Sequence, residues 1–239
     1  MLLTTLAAAI ANPEAETFTE TKAERQLRQV IFSSIEYANG SAHVGSGFKR
    51  AFGKSIDEQG FVLMSLSGAG ATPEIFEGPA NVRIRVARLS NSASMMLGYQ
   101  WVAPGRVVML AAGPESSRSQ EIDDRGRPRW LPRRTGVKMI AEVWHEPRPR
   151  MMMQATAIYS SAQSSLWSRA AAGINLREGL FLGPEATVYL ERDYREARIG
   201  MHLTGLAIGP LQLRISAGIS GIAEQRGGYY VGLAGHFKR

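Results

Sequence analysis

Between positions 211 and 221 apolar and polar residues alternate without a break. Leu211, Leu213, Ile215, Ala217 and Ile219 fall on one side of an extended chain, and Gln212, Arg214, Ser216, Gly218 and Ser220 on the other. Successive side chains of a strand point to opposite faces, so one face of this segment is greasy and the other polar. The pattern recurs to the end of the sequence. A soluble sheet shows it once or twice; its repetition predicts a closed antiparallel sheet with lipid outside and polar packing inside.

The spacing predicts a transmembrane β-barrel of about twelve strands, at 30–37, 42–51, 61–70, 93–101, 106–113, 136–145, 150–160, 165–174, 180–190, 196–207, 211–221 and 228–238. Asn39-Gly40, between the first two, is the strongest short hairpin signal. Segments 71–92 (carrying its own hairpin near 82–89) and 114–135 read as long loops. An even strand count returns both termini to one side, expected to be the periplasm, and places the short turns there. Only 51–60 is long for such a turn. The lipid face is expected to carry Leu180, Leu182, Ala186, Val188, Leu190, Ile199, Met201, Leu203, Val231, Leu233 and Phe237. Tyr37, Phe48, Tyr99, Trp101, Tyr159, Tyr229 and Phe237 fall where interfacial aromatic girdles belong.

The inner face is expected to hold a polar network of Glu36, Lys138, Glu142, Arg169, Glu185, Arg198, His202 and Arg214. Both signs are present, as burial of charge demands. Trp144, Trp167, Tyr189 and Tyr230 share that face; as aromatic faces suit sugar rings, they are candidates for saccharide stacking beside the plainer role of filling the bore. Inward glycines, among them Gly200 and Gly218, are expected to let strands bend as the barrel closes.

Composition sharpens this picture. Mean hydropathy is −0.14, and no apolar run approaches the ~18 residues of a spanning helix. Cysteine is absent, which removes disulfides and thiolate metal sites. The net charge of +7 invites a nucleic-acid partner, but the basic residues are scattered and form no Lys/Arg-rich helix. Outer-membrane lipid and lipopolysaccharide are the expected partners, with no nucleic acid. Residues 1–11, ending in the small-x-small site Ala9-Ile10-Ala11, read as a signal-peptide remnant; 12–28 reads as a polar periplasmic lead and 29–239 as the barrel.

No enzyme motif emerges. Of the four histidines, His43, His202 and His236 point inward, and only His145 reaches an outer rim, with no serine close in sequence. There is no Gly-x-Ser-x-Gly elbow and no His, Asp or Glu cluster that would hold a metal. No catalytic residue, metal or other cofactor is expected.

Several stretches carry a family likeness: FKRAFGKSIDEQGFVLMSLSGAG (48–70), MLGYQW (96–101), GVKMIAEVW (136–144), GLFLGPEATVYLERDYREARIGMHL (179–203) and LQLRISAGISG (211–221). GPEA at 183–186 is the most distinctive. Together they resemble the cellulose biosynthesis protein BcsS family of alphaproteobacteria. The resemblance implies an outer-membrane barrel with an accessory role in making or exporting cellulose, contacting the polymer or the synthase machinery, and brings no catalytic residue. A porin-like channel is the alternative, and an outer-membrane lipid-modifying enzyme a third reading.

Overall fold

The computed structural model describes residues 27–239 apart from 54, 78–82, 124, 178, 192–193 and 223–226. The expected signal remnant and most of the expected lead lie outside them. Thirteen strands follow in chain order: β1 (Gln29–Ala38), β2 (Ser41–Ala51), β3 (Gly60–Glu77), β4 (Arg83–Ala103), β5 (Arg106–Ile122), β6 (Pro128–Trp130), β7 (Arg134–Arg148), β8 (Met151–Ser160), β9 (Ser165–Arg177), β10 (Leu180–Glu191), β11 (Tyr194–Ile208), β12 (Leu211–Ile222) and β13 (Gly228–Lys238). Twelve of them form an all-antiparallel ring. Each pairs with the next, β5 with β7, and β1 closes on β13 in the register Val30↔Lys238 to Ala38↔Tyr230. Closure removes the unpaired edges that an open sheet exposes. The three-residue β6 stands outside the ring and pairs with the end of β5.

Every expected strand is present, in the expected register. Asn39 (φ 50°) and Gly40 (φ 80°) make the β1–β2 turn, with the two left-handed residues that a type I′ hairpin needs. Both termini leave from one end of the ring, beside the β2–β3, β4–β5, β7–β8, β9–β10 and β11–β12 turns.

Two segments differ from the sequence reading. Residues 71–77 and 83–92 are strand and not loop, since β3 and β4 stay paired through Glu77↔Arg83. Likewise β5 continues through Pro114 to Ile122, paired with β4 on one side and β7 or β6 on the other. β4 has 21 residues and β8 has 10. The excess amounts to about 35 Å of strand. A tall wall of β3, β4 and β5 thus rises on one side of the rim. Its inner face is Thr72, Ser90, Ser92, Ser94 and Ser117, all buried, and its outer face includes Asn91 and Ala93. Small polar residues on both faces leave the period-two rule without contrast.

The outer surface is apolar and the inner one mixed. Ile35, Ile215 and Leu233 are neighbours across β1, β13 and β12, and each is exposed on the outside. At the terminal end Phe61, Tyr99 and Trp101 form an aromatic run, with ring centroids 5.1 and 4.9 Å apart. Tyr37, Tyr159 and Tyr229 are exposed near the opposite end. Tyr229 and Phe237 bracket Leu233 on β13 and are separated by about 26 Å of strand. Strand tilt of ~35–45° shortens this to about 20 Å along the barrel axis, within the ~25 Å height of a lipid-facing band.

The long turn at 52–59 folds inward. Ile56 is buried with Val30, Phe32, Val62 and Met64. The Ile56 amide donates to the Leu27 carbonyl (2.8 Å), and its carbonyl accepts from Gln100 Nε2 (2.7 Å). Lys49 Nζ donates to Gln100 Oε1 (3.0 Å), and Lys238 pairs with Asp57 (3.2 Å). Leu27 and Arg28, the end of the expected lead, are fastened here too: the Arg28 amide donates to the Arg239 carbonyl and Leu27 packs on the core. The sequence length that was awkward for a simple turn is the length of a bung.

Candidate functional site

The bore is the first candidate, and alternation dictates its lining. All eight expected network residues are buried inside the ring. Seven of them fall into three groups. Around Arg214, Nη1 donates to Gln154 Oε1 (3.1 Å) and Thr204 Oγ1 (3.0 Å), and Nη2 to Glu185 Oε2. Tyr230 donates to the other Glu185 oxygen (2.7 Å), and Arg169 Nη2 shares Gln154 Oε1 (3.2 Å). His202 lies 2.8 Å from Thr204 Oγ1 through Nδ1 and 3.1 Å from the Ala172 carbonyl through Nε2. Thr204 accepts from Arg214, so its own proton is free for Nδ1, and a neutral ring protonated on Nε2 satisfies the chain.

The second group centres on Arg198. Nε and Nη2 make a bidentate pair with Glu196 (2.9 Å each), Nη1 reaches Glu36, and the guanidinium lies 5.7 Å from the Tyr230 ring. Asn39 and Tyr194 also donate to Glu196 (3.1 Å each). Sequence reading missed Glu196, whose inward position follows from its place two residues before Arg198. In the third group Lys138 Nζ pairs with Glu115 (2.6 Å), and Ser160 donates to the other Glu115 oxygen. Glu115 was missed because it lay in a segment read as loop. Glu142 lies apart from these pairs. Its attractive charges are Lys49 and Arg169, and neither oxygen has a hydrogen-bond partner among the described residues.

The four candidate stacking aromatics are buried as well. Trp144 donates to Glu146 (2.9 Å) and meets Phe181 edge-on at 5.9 Å. Trp167 is 2 % exposed, with Arg169 at 6.0 Å. Tyr189 donates to Glu191 (2.7 Å) and lies 5.7 Å from Tyr194. Tyr230 occupies the space left by two glycines: a Cβ on Gly200 would lie 2.3 Å from its hydroxyl, and one on Gly218 2.7 Å from its ring. Those two glycines make room for a ring.

Large apolar side chains fill the rest. Met64, Met96, Met109, Met152, Ile158 and Trp167 are each at most 2 % exposed inside the ring. A twelve-stranded ring is small enough to be filled in this way. Planar-bilayer recordings of the purified barrel are therefore expected to stay at baseline; a stable conductance step with each insertion would contradict a filled bore.

The second candidate lies at the rim, under the tall wall. Asp123 organises the β5–β6 turn: Oδ1 accepts from the amides of Arg127 (2.8 Å) and Arg125 (3.0 Å), and Oδ2 from Arg127 Nε (2.9 Å). The Arg127 amide first, then its side chain and the Arg125 amide, hold the Asp123 carboxyl below the usual carboxylate range. The turn returns the chain so that Trp130 pairs with Gln120, and Arg118 lies 4.3 Å from the Trp130 ring. Arg88 pairs with Glu121 (3.1 Å) behind it. A small cleft opens between this hairpin, the start of β7, the β8–β9 turn and the end of β10. The sequence pattern carries no signal for the fold that gathers these arginines.

His145, the one histidine near an outer rim, is half-buried with Nδ1 3.2 Å from the Gly105 carbonyl, while its neighbour Glu146 is engaged by Trp144. Among the described residues no group of three or more His, Asp or Glu could hold a metal ion.

A closed ring with an apolar outside, two aromatic belts and a charged, filled inside defines an outer-membrane-type β-barrel. The fold is shared with a solved structure. The transport unit of the autotransporter AIDA-I from Escherichia coli matches with a TM-score of 0.51 at 10 % identity, covering 93 % of each chain. The β-domain of the Bordetella autotransporter BrkA has a TM-score of 0.45 at 14 % identity, over 88 % of this chain and 98 % of that one. The outer-membrane protease OmpT of Escherichia coli has a TM-score of 0.37 at 8 % identity, over 89 % and 94 %. No curated protein sequence matches the chain. The profile of the family described as cellulose biosynthesis protein BcsS matches residues 30–239, the whole ring, and the chain belongs to that family.

Proposed function

We propose that this protein is a non-enzymatic outer-membrane barrel that assists the biosynthesis or secretion of cellulose, with its termini in the periplasm and its tall wall outside the cell. The observation that carries the reading is the family match across the entire barrel, from the first strand to the last residue. The geometry supports an accessory over a conduit. One mouth is stopped by Ile56 and its hydrogen bonds, and the bore is packed with methionine, tryptophan and paired charges. The outward apolar band and girdles fit lipid, and the arginine-rich rim fits the anionic headgroups of lipopolysaccharide.

Deleting the gene and quantifying extracellular cellulose tests this. A several-fold fall in polymer, or a change in its texture, is expected and should be reversed by a plasmid-borne copy. Unchanged amount and texture would overturn the proposal.

A further inference from the structure

The outward face of β5 changes character along its length. Val108, Leu110, Ala112 and Pro114 are apolar, and Ser116, Arg118 and Gln120 are polar. On β4 the same change falls between Ala93 and Asn91, and on β7 between Val137 and Thr135. Val108 pairs with Trp101 of the aromatic run at the terminal end, and Arg118 lies ten residues further along β5. That stretch of strand spans about 33 Å, or about 25 Å along the axis at a tilt of ~40°, which is the height of a lipid-facing band. Arg118 therefore stands where hydrocarbon gives way to headgroups. The register sets Leu89 and Trp130 on either side of Gln120, on the same outward face, and both are exposed.

The charge on this face selects the partner. The Arg118 guanidinium lies 4.3 Å from the Trp130 ring and makes no ion pair among the described residues. Six arginines lie between 118 and 134, all exposed, and among the described residues only Arg127 has an ion pair, with Asp123. The hairpin thus carries unbalanced positive charge directly above the apolar column of β5. A small soluble anion would satisfy the arginines and leave that column untouched; an uncharged lipid would do the reverse. An acylated anionic headgroup meets both, with its oxyanions on the guanidinium forks and its chains along Leu110 and Pro114. An indole at the boundary, apolar in body and polar at one edge, suits the same partner. We infer that the outward face of the β5–β6 hairpin, centred on Arg118 and Trp130, is a docking site for an acylated anionic glycolipid of the outer leaflet. This rests on the proposed orientation, with the tall wall outside the cell, and assigns the lipid contact to particular residues.

The test uses the full chain in zwitterionic detergent micelles and calorimetric titration with diphosphoryl lipid A, with dephosphorylated lipid A and inorganic phosphate as comparisons. Saturable binding of the diphosphoryl form is expected, much weaker binding of the dephosphorylated form, and no displacement by phosphate. Arg118→Glu should weaken binding about tenfold or more, since charge reversal removes an attraction and adds a repulsion. Trp130→Ala should weaken it about threefold. Arg106→Glu, at the other end of β5, should leave it unchanged, and heat-modifiable gel migration should stay that of the parent in all three. Equal binding of the two lipid A forms, displacement by phosphate, or a loss in Arg106→Glu as large as in Arg118→Glu would overturn the inference. The first two outcomes are read on the parent and need no variant to fold. Cellulose measured in the deletion strain keeps the two ideas separate. A parent that restores cellulose yet does not bind lipid A sinks the docking site alone. A parent that binds lipid A while deletion leaves cellulose unchanged sinks the cellular role alone.

Discussion

Replacing Arg214 with alanine is expected to destabilise the barrel by about 3–5 kcal/mol, the cost of leaving one partner of a buried ion pair behind. Arg214 is 1 % exposed and holds Glu185, Gln154 and Thr204 at once. Without it, Glu185 keeps the Tyr230 hydroxyl and the more distant charge of Arg169. Thr204 loses the donor that orients it toward His202. Urea unfolding in detergent, followed by the shift between folded and unfolded gel bands, reads the effect. Pairing Arg214→Met with Glu185→Gln should return about 1–3 kcal/mol of coupling, because the second change removes the stranded charge. A single variant within 1 kcal/mol of the parent would show that the charges are solvated and the bore is not packed as described.

The second large effect is on the outside. Leu233→Arg should cost about 2–4 kcal/mol in a bilayer, whereas Tyr229→Arg, four residues away on the same face, should cost about 0–1 kcal/mol. Leu233 lies between Ile35 and Ile215 in the middle of the apolar band, and Tyr229 lies in the girdle, where a long cationic side chain reaches water. Refolding into vesicles of defined thickness at a series of urea concentrations gives both values. Equal costs at the two positions would mean that lipid does not meet this surface.

Alternation made the ring legible because lipid and a packed bore demand opposite side chains at consecutive positions. That contrast located the lining of β10 to β13 and the inward direction of Glu185, Arg198, His202 and Arg214. It failed on the tall wall, where Ser90, Asn91, Ser92 and Ala93 differ too little between faces to reveal a strand. Pairing partners were beyond it too. Arg214 meets Glu185 across 29 residues of sequence, which only the register and tilt of three strands decide. Ile56 sits in a turn that also carries an exposed Phe52, and nothing local says which of the two will fold under the ring. Trp130 and Arg118 come together through a hairpin organised by Asp123, a motif built from hydrogen bonds and not from hydrophobic pattern.

The inward-folded segment around Ile56 bears on traffic. With that mouth corked from the terminal end, a molecule travelling along the barrel's axis meets packed side chains at its first step.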